Sequence, residues 1–154
     1  MSAPTPAEKN LMVMRLVVGA ILAGLLAFWC VVLFISGRFP ERPELEKPMA
    51  AALILVAVVA TVLPMIIYRP MVNKARQALA QAGESADPAA IAAPHLFLYT
   101  LVSAGLGEAL GFFAAIVHLL TGYPSAWLMA LLAVVLIARR FPTARTLDDF
   151  TADM

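Results

Sequence analysis

The chain has 154 residues, of which 62% are hydrophobic and 14% charged, with a net charge of +1. A soluble domain carries about 25% charged and about 45–50% apolar residues, so the composition excludes an ordinary water-soluble domain, and the near-neutral balance gives no footprint for nucleic acid. The single cysteine, Cys30, excludes an intrachain disulfide framework, and no Cys/His spacing suits a metal.

Four apolar runs predict the elements in chain order. LVVGAILAGLLAFWCVVLFI lies in a span over 12–36, MAAALILVAVVATVLPMII in a span over 49–68, LFLYTLVSAGLGEALGFFAAIVHLL in a span over 96–120, and YPSAWLMALLAVVLIA in a span over 124–139. A helix needs about 20 residues to cross ~30 Å of hydrocarbon. The first three suffice. The fourth borrows length from snorkelling Arg139 and Arg140 and from Tyr123 and Trp127 at the other interface. The first run is too long for the apolar core of a signal peptide, and FISGRFP is a poor cleavage site, so it reads as a retained anchor. The expected fold class is all-α: residues 1–154 form one polytopic membrane domain, with four transmembrane helices arranged as two hairpins.

The connections differ in character. SGRFPERPELEKP reads as an exposed, extended loop, and TGYPS as a tight turn closing a hairpin of helices three and four. Between helices two and three, Met71, Ala75, Ala78, Leu79 and Ala82 recur at helical spacing, which predicts a short interfacial helix over 71–82. GESADPAA then reads as a flexible linker. Lys9, Arg15, Arg69, Lys74, Arg76, Arg139, Arg140 and Arg145 fall on one side, against Arg38, Arg42 and Lys47 on the other. The positive-inside rule therefore places both termini in the cytoplasm, with an inner (cytoplasmic) membrane as the expected location.

Helix three carries the polar candidates. At about 100° per residue, Thr100, Ser103, Ala104, Gly107, Glu108, Gly111, Ala114, Ala115 and His118 share an arc of roughly 140°. Membrane helices associate through small residues and polar contacts. That arc is therefore expected to face protein, and the bulky remainder lipid. Helix one offers Ala20, Ala23, Gly24 and Ala27 on one side. The expected contact joins these four to Ala104, Gly107, Gly111 and Ala115. Pro64 is expected to kink helix two. An ionised acid at mid-bilayer costs at least ~2.5–3.5 kcal/mol, so Glu108 is expected to be hydrogen-bonded, with Ser103, Thr61 or water as partner. Three roles stay open for it: a structural hydrogen bond, a proton or cation site, or contact with a substrate or partner. His118 lies about 15 Å further along the helix, too far for a direct dyad. Arg15 is expected to snorkel and to pair with nothing buried.

The stretch GLGEALGFFAAIV, residues 105–117, resembles the carboxylate-bearing helix of the proteolipid c subunit of rotary ATP synthases. In that family a mid-membrane carboxylate binds the transported ion, and the resemblance implies that role for Glu108. The chain departs from the pattern in having no glycine over 49–67, a long link between helices two and three, and a fourth helix. Four helices with one membrane glutamate also resemble small multidrug transporters, whose glutamate lies in the first helix.

No Ser/His/Asp set, phosphate loop or metal cluster has usable spacing, so no catalytic residues, metal or cofactor are expected and the chain does not read as an enzyme. The expected function is that of a structural or accessory membrane subunit with a buried interhelical glutamate. The alternative is a protein that translocates a proton, cation or small molecule through Glu108. Expected partners are the lipid bilayer and either further copies of the chain or a larger membrane complex.

Overall fold

A computed structural model describes residues 6–38, 40–83 and 86–154, and every regular element among them is helical. In order they are α1 (Pro6–Ser36), a short 3-10 turn (Pro43–Leu45), α2 (Glu46–Ala82), α3 (Pro88–Thr121), α4 (Ala126–Ala138) and α5 (Ala144–Ala152). Three of them, α1, α2 and α3, are long and apolar enough to cross a membrane. α4 has 13 residues, about 20 Å at 1.5 Å per residue, which is shorter than the hydrocarbon core.

α3 organises the molecule. α1, α2, α4 and α5 all pack on it. The expected first hairpin is not formed, because α1 and α2 pack on α3 rather than on each other. α3 and α4 do lie along one another, joined through Gly122. This glycine is in the left-handed region (φ 66°) and its N–H donates to the His118 carbonyl at 2.9 Å, which closes α3. A side chain there would be strained, and its Cβ would meet the Glu41 carboxylate at 2.6 Å. The loop carrying Glu41 is therefore docked against this turn rather than extended. The Arg42 N–H donates to the Leu120 carbonyl at 2.8 Å and holds it there, although the side chains from Pro40 to Glu44 remain exposed.

Two element boundaries differ from the sequence reading. Residues 71–82 are not a separate interfacial helix but the continuation of α2 through Pro64 and Pro70. At 37 residues α2 is about 55 Å long, far more than a bilayer core. Beyond Pro70 it buries Val72 and Ala75 against protein. α3 begins at Pro88, two turns before the expected 96, and takes in Pro94 and His95. Asp87 starts it by accepting the Ala89 N–H at 3.0 Å, with Pro88 at the first helical position where no N–H is needed. Phe39 of the loop after α1, and Glu84 and Ser85 of the expected linker, lie outside the described residues.

The core has two parts. The larger joins Val18, Leu25, Trp29 and Val32 of α1 to the buried side of α3 and to Ala126, Ala130, Ala133 and Ile137 of α4. The smaller gathers Leu11 and Met14, the end of α2, the first turns of α3, and Leu147 and Phe150 of α5. α5 has no counterpart in the sequence reading. A reciprocal capping box between Thr143 and Thr146 starts it, and Leu147 and Phe150 at i, i+3 form its buried face. Arg15 does find a partner: its Nε donates to the Pro142 carbonyl at 3.0 Å, tying α1 to the α4–α5 connection. The last residues dock on α2, where Arg76 donates to the Asp153 carbonyl at 2.9 Å and to that of Met154, and the Tyr68 hydroxyl donates to Asp153 Oδ2 at 2.5 Å.

Candidate functional site

The small arc of α3 is largely enclosed, as expected. Thr100, Ser103, Ala104, Gly107, Gly111, Ala114 and Ala115 are buried. Glu108 is not. It is half-buried, at the margin between that arc and an outward stripe formed by Leu98, Leu101, Val102, Ala109 and Ile116. The expected buried interhelical glutamate is therefore absent. No hydrogen bond or ion pair joins Glu108 to any described residue. The bulky side of α3 is not uniformly outward either. Tyr99, Leu110 and Val117 are buried, because a third helix, α2, also packs on α3.

The other polar candidates do not converge on Glu108. Thr61 turns back along its own helix and donates to the Ala57 carbonyl at 2.8 Å. Ser103 Oγ is buried without a hydrogen-bond partner among the described residues, and five helical positions set it about 140° around α3 from Glu108. His118 lies among aromatic rings, stacked with Trp29 (centroids 6.0 Å) and edge-on to Trp127 (5.4 Å). Its Nδ1 is buried without a partner among the described residues. No group of three His, Cys, Asp or Glu side chains suited to a metal exists among the described residues.

The contact between α1 and α3 forms through different residues from those expected. Ala20, Ala23, Gly24 and Ala27 are exposed, opposite the face of α1 that carries Leu25 and Trp29. Gly107 and Gly111 of α3 receive large side chains instead. A Cβ on Gly111 would lie 2.5 Å from Leu25 Cδ1 of α1, and one on Gly107 would lie 2.8 Å from Ile137 Cγ1 of α4. The Trp29 indole N–H also reaches the Gly111 carbonyl at 3.1 Å, taking a lone pair that the helix ladder leaves free. A knob in a glycine notch gains more dispersion contact than two flat small surfaces. It is also invisible to a search for small residues on both partners.

Aromatic groups mark two levels on α3. Tyr99 packs edge-on with Tyr68 (5.1 Å) at one level, and His118 meets Trp29 and Trp127 at the other. Nineteen helical residues separate Tyr99 from His118, about 28 Å, close to the ~30 Å of a bilayer core. Such belts sit at membrane interfaces. Glu108 falls midway between them.

At the Tyr99 level the protein holds a cavity of about 380 Å³ between α2, α3, the end of α4 and α5. Met65, Leu96 and Phe150 supply its apolar wall, while Arg139, Arg140 and Asp149 supply its charges. The Arg140 guanidinium lies over the Tyr99 ring, 5.1 Å from its centroid. No ion pair joins either arginine to Asp149. The sequence reading used Arg139 and Arg140 as snorkelling anchors and in the charge count that sets orientation, not as part of a site. The doublet was the available signal, but without α5 nothing indicated a wall facing it.

Comparison of the chain with protein-family models, curated proteins and solved structures gives no match.

Proposed function

We propose that this chain is a structural or accessory subunit of the membrane, a helical component built to associate with further transmembrane helices. One observation carries the reading. The two kinds of group that join helices in lipid, small residues and a polar side chain, are both left open to a neighbour by the single chain: Ala20, Ala23, Gly24 and Ala27 are exposed on α1, and Glu108 is half-buried at the margin of the outward stripe of α3. A carboxyl midway across the bilayer with no partner of its own is costly, and a helix from another polypeptide supplies one. In this reading α4 is a short fourth crossing, and the basic end of the bundle, with both termini, faces the cytoplasm from the inner membrane.

The test is the size of the assembly in mild detergent, measured by native mass spectrometry after purification of the full chain. The unmodified chain is expected in a stoichiometric assembly, either with itself or with a second protein. Glu108→Gln, which keeps a hydrogen-bonding group, is expected to retain that assembly. Glu108→Leu and Gly24→Leu are expected to shift it at least tenfold toward the free chain, with helix content unchanged. A chain that is monomeric both in detergent and in bilayer discs contradicts the reading. So does an assembly indifferent to Glu108→Leu and Gly24→Leu. Carbodiimide labelling of Glu108, with flux abolished by Glu108→Gln, would favour the translocating alternative that the c-subunit resemblance implies.

A further inference from the structure

We infer that the cavity walled by Met65, Leu96, Phe150, Arg139, Arg140 and Asp149 is a binding site for the headgroup of an anionic phospholipid. Two guanidiniums face one carboxylate, so the site has a net positive charge that a single phosphate balances. The Arg139 guanidinium is exposed and makes no hydrogen bond or ion pair to any described residue. The Arg140 guanidinium is held in place over the ring of buried Tyr99, a cation–π contact that orients it and leaves its N–H groups free for an anion. Thr100 lines the same space, and its hydroxyl, which has no hydrogen-bond partner among the described residues, can donate to a phosphate oxygen.

The apolar wall argues for a lipid over a free phosphate. Met65 is 67% exposed on the outward side of α2, where the wall of the cavity meets the surface expected to touch acyl chains. The cavity is too small for a whole phospholipid. It has room for a headgroup and the first carbons of a chain, with the remainder running out past Met65. The site also lies at the correct depth, since α4 ends at Ala138 and the two arginines follow at once, at the level of Tyr68 and Tyr99. Basic pockets between membrane helices at an interface are sites of this kind.

The experiment is a lipid titration of the full chain in mild detergent, read by native mass spectrometry, with phosphatidylglycerol, phosphatidylcholine and inorganic phosphate as the three probes. Phosphatidylglycerol is expected to bind at least tenfold more tightly than phosphatidylcholine, and millimolar phosphate is expected neither to bind nor to displace it. Arg139→Gln is expected to weaken phosphatidylglycerol about fivefold, the value of one basic side chain near an anionic surface. Arg139→Gln with Arg140→Gln is expected to remove the preference. Because Arg140 also packs on Tyr99, the single Arg139 change decides the matter if the double variant loses helix content. Lys74→Gln, at the same end but outside the cavity, is expected to change nothing. Equal binding of the two lipids, competition by phosphate alone, an unchanged preference in Arg139→Gln, or an equal loss in Lys74→Gln would each overturn the inference.

Discussion

Gly111→Ala is expected to destabilise the chain by about 1–3 kcal/mol, the range for an added methyl group in a filled core. Gly105→Ala, on the same helix, is expected to be close to neutral. The difference lies in what each new Cβ meets. At Gly105 nothing lies within 4 Å, while at Gly111 three atoms of Leu25 lie within 3.2 Å. Leu25 is fully buried, so its side chain has no solvent or lipid to swing into. Either it leaves its rotamer or α1 moves off α3, and the second response also stretches the Trp29 to Gly111 hydrogen bond. Leu25→Ala alone leaves a cavity and is expected to cost about 2–5 kcal/mol. The double variant is expected to be better than the sum of the two singles by about 1 kcal/mol or more, since contacting residues couple on that scale. Reversible unfolding in mixed micelles, followed by tryptophan fluorescence, reads all four forms. Additive losses would mean that Leu25 and Gly111 do not touch.

Phe150→Ala is expected to cost about 3–5 kcal/mol, as for other buried aromatic truncations, and to release α5 from the rest of the protein. α5 has only nine residues, too few to persist alone in water. What holds it is its capping box, the burial of Leu147 and Phe150 against the ends of α1, α2 and α3, and the hydrogen bonds from Tyr68 and Arg76 to the residues that follow it. Phe150 is the largest fully buried side chain of the described residues and packs edge-on to Tyr68. Its loss removes one of the three apolar residues walling the arginine cavity and the main apolar anchor of the last turn together. Hydrogen exchange over 144–152 is expected to rise to the rate of an unstructured segment, while exchange over 96–120 stays slow. Protection that persists over 144–152 would show that α5 is held by something other than this contact.

Much of the molecule was legible in the sequence, for physical reasons that also mark where legibility stops. Long apolar runs locate membrane helices because each crossing must satisfy its own backbone, and the three long helices are found there. The small arc of α3 was legible because only small residues let two other helices approach so closely, and Gly107 and Gly111 do receive Ile137 and Leu25. The orientation of α1 was not. Both its sides are apolar, one for lipid and one for protein, so hydropathy does not distinguish Leu25 and Trp29 from the outward Leu26 and Phe34. The rule that small residues meet small residues then selected the wrong face. Glu108 stood at the end of the polar arc on a helical wheel, and an end position is decided by where the neighbouring helix stops. α5 was missed because it lies outside the long apolar runs from which the elements were read: it is short and mostly polar, with Leu147 and Phe150 as its buried residues. Thr143 and Thr146, three apart, and Leu147 and Phe150, also three apart, were its local signature.

The rotation of α1 underlies the whole account, because it turns Ala20, Ala23, Gly24 and Ala27 outward and leaves them free for another helix. Disulfide trapping on a Cys30→Ser background tests it directly. A bridge needs Cβ atoms about 3.5–4.5 Å apart, and replacing Leu25 clears the space that a cysteine at 111 requires. Leu25→Cys with Gly111→Cys is expected to form an intramolecular bridge in membranes under mild oxidation, while Gly24→Cys with Gly111→Cys forms none within one chain. An intramolecular bridge from position 24 to position 111, with none from position 25, would contradict the account.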